Sequence, residues 1–169
     1  MKTGTVCLLA CLALFAWPAL GAQADANHFT LDAGFGGASE GHGTLKVLLG
    51  AERPFRVESR GQRLADGTFR LDQTVRFQGK AATRRHWLLR TVQPGAYAGT
   101  LSDAAGRVTG HTLGARLLLR YRLKGPLVMH QTLELMPDGT IDNVGKITFL
   151  GVSVGHLYET IERRSHEPQ

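Results

Sequence analysis

Phe69-Arg-Leu-Asp-Gln-Thr-Val-Arg-Phe77 alternates: Phe69, Leu71, Gln73, Val75 and Phe77 hold the odd positions, Arg70, Asp72, Thr74 and Arg76 the even ones. Side chains of a strand point to opposite faces with period two, so this stretch predicts a strand with one buried and one solvated face. Phe55 and Val57 against Arg56, Glu58 and Arg60 repeat the pattern. So do Leu117, Leu119, Tyr121 and Leu123 against Arg116, Arg120, Arg122 and Lys124. Leu45, Val47 and Leu49 lead another run, Trp87 and Leu89 another, and Leu127, Met129, Leu133 and Leu135 one more. Turn chemistry separates the runs: Asp66-Gly67, Gly79-Lys80, Pro94-Gly95, Asp103-Ala-Ala-Gly106, Gly125-Pro126 and Pro137-Asp138-Gly139. This spacing of short runs and tight turns indicates an all-β domain joined by hairpins. Leu157 to Arg164 suits a last strand or a short helix. About eight to ten antiparallel strands with one charged face must hide their edges, and closing into a lipocalin-like barrel does so. A two-sheet sandwich is the alternative.

The chain has 169 residues, 20 Lys+Arg against 14 Asp+Glu and a formal net charge of +6. Residues 1–24 read as a cleaved signal peptide: Lys2 is the positive start, Val6 to Trp17 the apolar region, and Ala22-Gln-Ala24 a small-x-small site cut before Asp25. Leu8-Leu-Ala-Cys11 resembles a lipobox, but it comes early and the apolar run continues past it, so Ala24 is preferred over lipid anchoring at Cys11. Cys7 and Cys11 both lie in the leader, which leaves the mature chain without a disulfide or thiolate metal site. No stretch of about 20 apolar residues follows, which excludes a polytopic helical membrane protein. Beyond the leader we expect a Gly-rich lead-in at 25–43, a barrel at 44–164 and a polar tail at 165–169. The expected location is periplasmic or secreted.

Gly151-Val-Ser153-Val-Gly155 matches G-x-S-x-G. A nucleophile elbow needs a strand–turn–helix in an α/β sheet, followed in order by an acid and a histidine; only sixteen residues follow Ser153 and no parallel βαβ pattern exists, so Ser153 is read as part of a bend and the protein as no enzyme. The histidines at 28, 42, 86, 111, 130, 156 and 166 show no ligand spacing. No metal or cofactor is expected; His111 and His156 are the best metal candidates should one be found. An exported address and the lack of an aromatic RNA-binding pattern argue against nucleic acid as partner. The arginines beyond the leader suggest contact with anionic lipid or another acidic envelope surface, or simply an ordinary solvated exterior.

Polar residues at interior parity carry more information. Gln73 interrupts an apolar face, as does Gln131 between Met129 and Leu133; Arg85 shares a side with Trp87, and Glu159 lies between Leu157 and Ile161. Buried polar groups need partners. These four therefore either orient a ligand, with Trp87, Tyr97 and Tyr121 lining its cavity, or satisfy one another in a filled barrel. Arg85 and Glu159 are expected to meet directly or through water.

Leu135-Met-Pro-Asp-Gly-Thr-Ile-Asp-Asn-Val144, with Lys146 to Gly151 and Val154-Gly155, resembles the DUF3833 family of uncharacterised bacterial proteins. So do Gln78 to Tyr97, with Arg85-His-Trp87, and Asp103, Gly106, Gly110, Gly114-Ala115 and Tyr121. The resemblance implies a small envelope-associated lipocalin-like barrel and carries over no catalytic residue. Such proteins are often lipoproteins and tend to carry an acidic-Trp pair where this chain has Gln131-Thr132. Together these readings predict a non-enzymatic exported barrel that binds a small amphipathic or lipid-like ligand. The alternatives are a filled barrel acting through its basic exterior and an enzyme of unrecognised barrel type using Glu159 with a histidine.

Overall fold

The computed structural model describes residues 28–48 and 50–164. The leader, both cysteines, the Ala24/Asp25 site, Leu49, His166 and the 165–169 tail lie outside them. A short helix, α1 (Leu31–Phe35), precedes ten strands: β1 (Gly37–Val47), β2 (Arg53–Arg63), β3 (Phe69–Phe77), β4 (Thr83–Gln93), β5 (Ala96–Leu101), β6 (Arg107–Leu113), β7 (Arg116–Arg122), β8 (Leu127–Leu135), β9 (Ile141–Phe149) and β10 (Val152–Arg163). Each pairs antiparallel with its sequence neighbours, and β1 pairs with β10 to close a barrel. The Leu157–Arg164 ambiguity resolves as strand, because β10 is the closing strand.

The predicted turns are where the chain reverses. Gly67, Gly79, Gly95, Gly106, Gly125 and Gly139 all take positive φ, which glycine adopts without steric cost. Odd-numbered side chains of β3, β7 and β8 fill the interior: Phe69, Leu71, Leu117, Leu119, Tyr121, Met129 and Leu133 are buried. The far-end ring pair Phe55 and Phe77 sit 5.5 Å apart.

The 25–43 lead-in needs correction. The barrel begins at Gly37, not at residue 44, and residues 31–35 are helical. Glycine density suggested a loop, yet Gly41 and Gly43 are strand residues at a close approach. A Cβ on Gly41 would collide with the Glu159 carboxyl, and one on Gly43 with the Tyr158 carbonyl and the Phe55 ring. Thr30 caps α1 by accepting from the Ala33 N–H. Phe29, Leu31 and Phe35 then drive into the barrel and plug one end, where the Phe29 N–H bonds the Gly114 carbonyl at 2.9 Å. Ion pairs Arg63–Asp32, Arg90–Asp66 and Arg116–Glu134 gather at this plugged end. Among the described residues, no helix is long and apolar enough to cross a membrane.

Candidate functional site

The cross-strand register brings the interior polar residues together. Ser59 lies opposite Gln73, and Gln73 opposite Arg85. On the other wall Gln131 lies two positions from Met129, and Asn143 lies opposite Glu159. Two relays result. In the first, the Gln73 carbonyl oxygen accepts from Trp87 Nε1 at 2.7 Å and from Arg85 Nε at 2.9 Å, while its Nε2 donates to Ser59 Oγ at 3.1 Å. In the second, Tyr121 Oη donates to Gln131 Oε1 at 2.9 Å, Gln131 Nε2 to Asn143 Oδ1 at 3.2 Å, and Asn143 Nδ2 to Glu159 Oε2 at 2.8 Å. The Trp87 and Tyr121 rings meet edge to face at 5.2 Å and join the relays.

Gln73, Arg85, Trp87, Gln131, Asn143 and Glu159 border one cavity beneath α1. Its volume is about 30 Å³. A water needs about 10–15 Å³ on this measure, so about two waters fit. Drug-sized ligands occupy about 300–1,000 Å³.

Arg85 and Glu159 both face this space but do not bond each other. Gln73 takes the guanidinium and Asn143 the carboxyl, because each lies on a strand adjacent to its partner. Of the two expected arrangements the direct pair is replaced by two amide intermediaries, and the shared cavity has room for the water of the other. Tyr97 is buried but does not border the cavity; the charges nearest its hydroxyl are Arg63 and Asp32, at the plugged end. Tyr121 contributes its hydroxyl to the relay and its ring to Trp87, not to the cavity wall. Asn143 and Ser59 were missed. The period-two run Ile141, Asn143, Gly145, Ile147 would have found the first, and Phe55, Val57, Ser59 the second.

Burial pushes the Glu159 carboxyl up, against the Asn143 hydrogen bond and the Arg85 and His42 charges. Burial likewise pushes the Tyr121 hydroxyl up to about 12. A carboxyl raised in the fold favours its protonated form there. The stability this contributes is present below the unfolded value near 4.5 and is lost as pH rises through the folded one. Glu159→Gln keeps an acceptor for Asn143 and removes the charge. We expect it to stabilise the protein at pH 7 and to flatten the fall in urea midpoint between pH 4 and 7; an unchanged pH profile would remove Glu159 as its source.

Arg85 is half-buried and Arg84 exposed, as period two requires. Losing a hydrogen bond to a charged group costs about 1.5–3 kcal/mol, while surface changes stay within about 0.5 kcal/mol. Arg85→Ala should therefore lower the melting temperature and Arg84→Ala should not; equal shifts would mean that the guanidinium bond to Gln73 adds nothing.

Ser153 lies on β10 beside a bulge, not between a strand and a helix, and its Oγ is 3.2 Å from His156 Nε2. Among the described residues no three His, Cys, Asp or Glu side chains cluster as metal ligands; His111 and His156 are exposed on different strands.

Among solved structures, the barrel is similar to the S-type phycobiliprotein lyase CPES from Guillardia theta, with a TM-score of 0.64 at 7% identity over 78% of this chain and 89% of that one. It is also similar to a protein of unknown function of the DUF3598 family from Nostoc punctiforme, with a TM-score of 0.56 at 13% identity over 82% of this chain and 50% of that one. At these identities the likeness is one of fold. No curated protein matches the sequence. The family model described as "Protein of unknown function (DUF3833)" matches residues 9–163, and with nearly the whole length covered the chain belongs to that family.

Proposed function

We propose that this protein is a non-enzymatic exported barrel whose interior is filled and whose working surface is its basic exterior, facing an acidic partner in the bacterial envelope. The carrying observation is the interior volume. About 30 Å³ remains between two relays that hydrogen-bond internally, room for about two waters and too little for a drug-sized ligand, which supports a structural role for the polar groups. The leader read from the sequence supports export, and the strand setting of Ser153 supports a role other than acyl transfer. Native mass spectrometry of protein purified from the periplasm tests it. The expected mass is that of the polypeptide from Asp25 onward, and a retained small molecule would overturn the filled-barrel reading.

A second reading has its own observation. Arg85 and Glu159 face one cavity without pairing, as groups awaiting the polar end of a small amphipathic ligand would. Likeness to the barrel of an S-type phycobiliprotein lyase adds to it. That ligand enters only if α1 withdraws, since Leu31 and Phe35 border the cavity.

A further inference from the structure

Like charges facing each other across a sheet are destabilising. Here no acid stands between the cations of one row: Lys46 of β1 lies opposite His156 of β10, His156 opposite Lys146 of β9, Lys146 opposite His130 of β8, and His130 opposite Arg120 of β7. Three cations and two histidines thus stand abreast on the outer face, and burial together with the Arg120 and Lys146 charges pushes the His130 pKa down, toward the neutral imidazole. Among the described residues none of the five is in an ion pair. Nearer the plugged end the same five strands mix acids with bases. Four residues toward the plugged end the rung reads His42, Thr160, Asp142, Glu134 and Arg116, and Arg116 binds Glu134 at 3.0 Å.

The far rim of these strands is apolar. Leu150 is 78% exposed, Val152 67% and Leu48 64%, with Phe149 beside them. Leu48 and Leu150 hold φ of 40° and 48°, a region that favours glycine, so the two tips combine backbone strain with an exposed leucine. The tips are neighbours, because β1, β10 and β9 are adjacent. Lys46 lies two residues behind Leu48, Lys146 three behind Phe149 and His156 four behind Val152. At about 3.3 Å per residue the basic rung stands roughly 7–13 Å behind the tips.

We propose that this rim docks on an anionic lipid bilayer: Leu48, Leu150 and Val152 enter the acyl boundary while the Lys46–His156–Lys146–His130–Arg120 rung meets the phosphate headgroups. The inference rests on the exterior-surface reading above and names its partner. The spacing selects lipid over an acidic protein, since an apolar edge below a cationic stripe matches the layering of a bilayer.

The test uses the full mature chain with phosphatidylglycerol vesicles, phosphatidylcholine vesicles and lipid-free polyglutamate beads. Wild type should bind the first and third and not the second. Lys146→Glu changes two charge units, so its vesicle affinity should fall about thirtyfold at roughly 1 kcal/mol per charge. Its melting temperature should stay level, because Lys146 is exposed and holds no ion pair among the described residues. Leu150→Ser with Val152→Ser should lose vesicle binding about tenfold and keep bead binding. Full vesicle binding by the serine variant, or a change in its oligomeric state that shows the rim to be a self-interface, would overturn the bilayer inference. Bead binding without vesicle binding would overturn it too, while leaving the exterior-surface reading intact. Binding to neither support would sink both.

Discussion

Gln73→Leu should lower the unfolding free energy by about 3–5 kcal/mol. The glutamine oxygen is the acceptor shared by the buried Trp87 indole N–H and the Arg85 guanidinium, and leucine offers neither. A buried donor left unpaired costs about 1–3 kcal/mol, and more when charged. The approach of Trp87 to Gln73 leaves no room for a water in between, at 2.7 Å. Gln73→Glu is the control: it keeps the acceptor, lets the Ser59 hydroxyl donate where it accepted before, and should retain most of the stability. Urea unfolding followed by Trp87 emission separates the two. Equal midpoints for leucine and wild type would show that the relay is dispensable.

Leu31→Ala should cost about 2–5 kcal/mol, the range for deleting a large buried aliphatic side chain. Leu31 is 1% exposed, and it sits in the helix that plugs the barrel. The loss has a functional readout as well. Leu31 borders the interior cavity, so the variant enlarges the space beside Arg85 and Glu159. The weakened plug also lets α1 withdraw, so a solvatochromic apolar dye should bind the variant and not the wild type. Dye binding to wild type at equal strength would mean that α1 already vacates the barrel mouth, which favours the ligand reading over the filled one.

The position of α1 separates what local sequence carries from what it does not. Strand identity, turn positions and the inward parity of Gln73, Arg85, Gln131 and Glu159 were legible along the chain, because period two and left-handed glycines are local properties. The sorting of Arg84 outward and Arg85 inward followed from the same rule and holds in the barrel. The glycines at 41 and 43 misled, since a residue without a side chain has no parity of its own. Their reason lies across the sheet, in the Glu159 carboxyl that packs against Gly41 and in the Tyr158 carbonyl and Phe55 ring that pack against Gly43. Distance along the chain also hid the plug: Phe29, Leu31 and Phe35 make no periodic pattern, and only the closed barrel shows the hole they fill.

Partner choice inside the barrel was equally a tertiary matter. Sequence alone established that an arginine and a glutamate face inward and that each needs a partner. It could not say which, because hydrogen-bond partners are set by cross-strand register around a closed sheet. That register puts Gln73 beside Arg85 and Asn143 beside Glu159. The basic rung arises the same way. Its five members span Lys46 to His156 in the sequence and show no local clustering there. They become neighbours because consecutive antiparallel strands, and the closing β1–β10 pair, place one residue from each on a common row. Local periodicity determined the strands and their faces; barrel closure decided which charges meet, because register is a property of pairs of strands and not of any one of them.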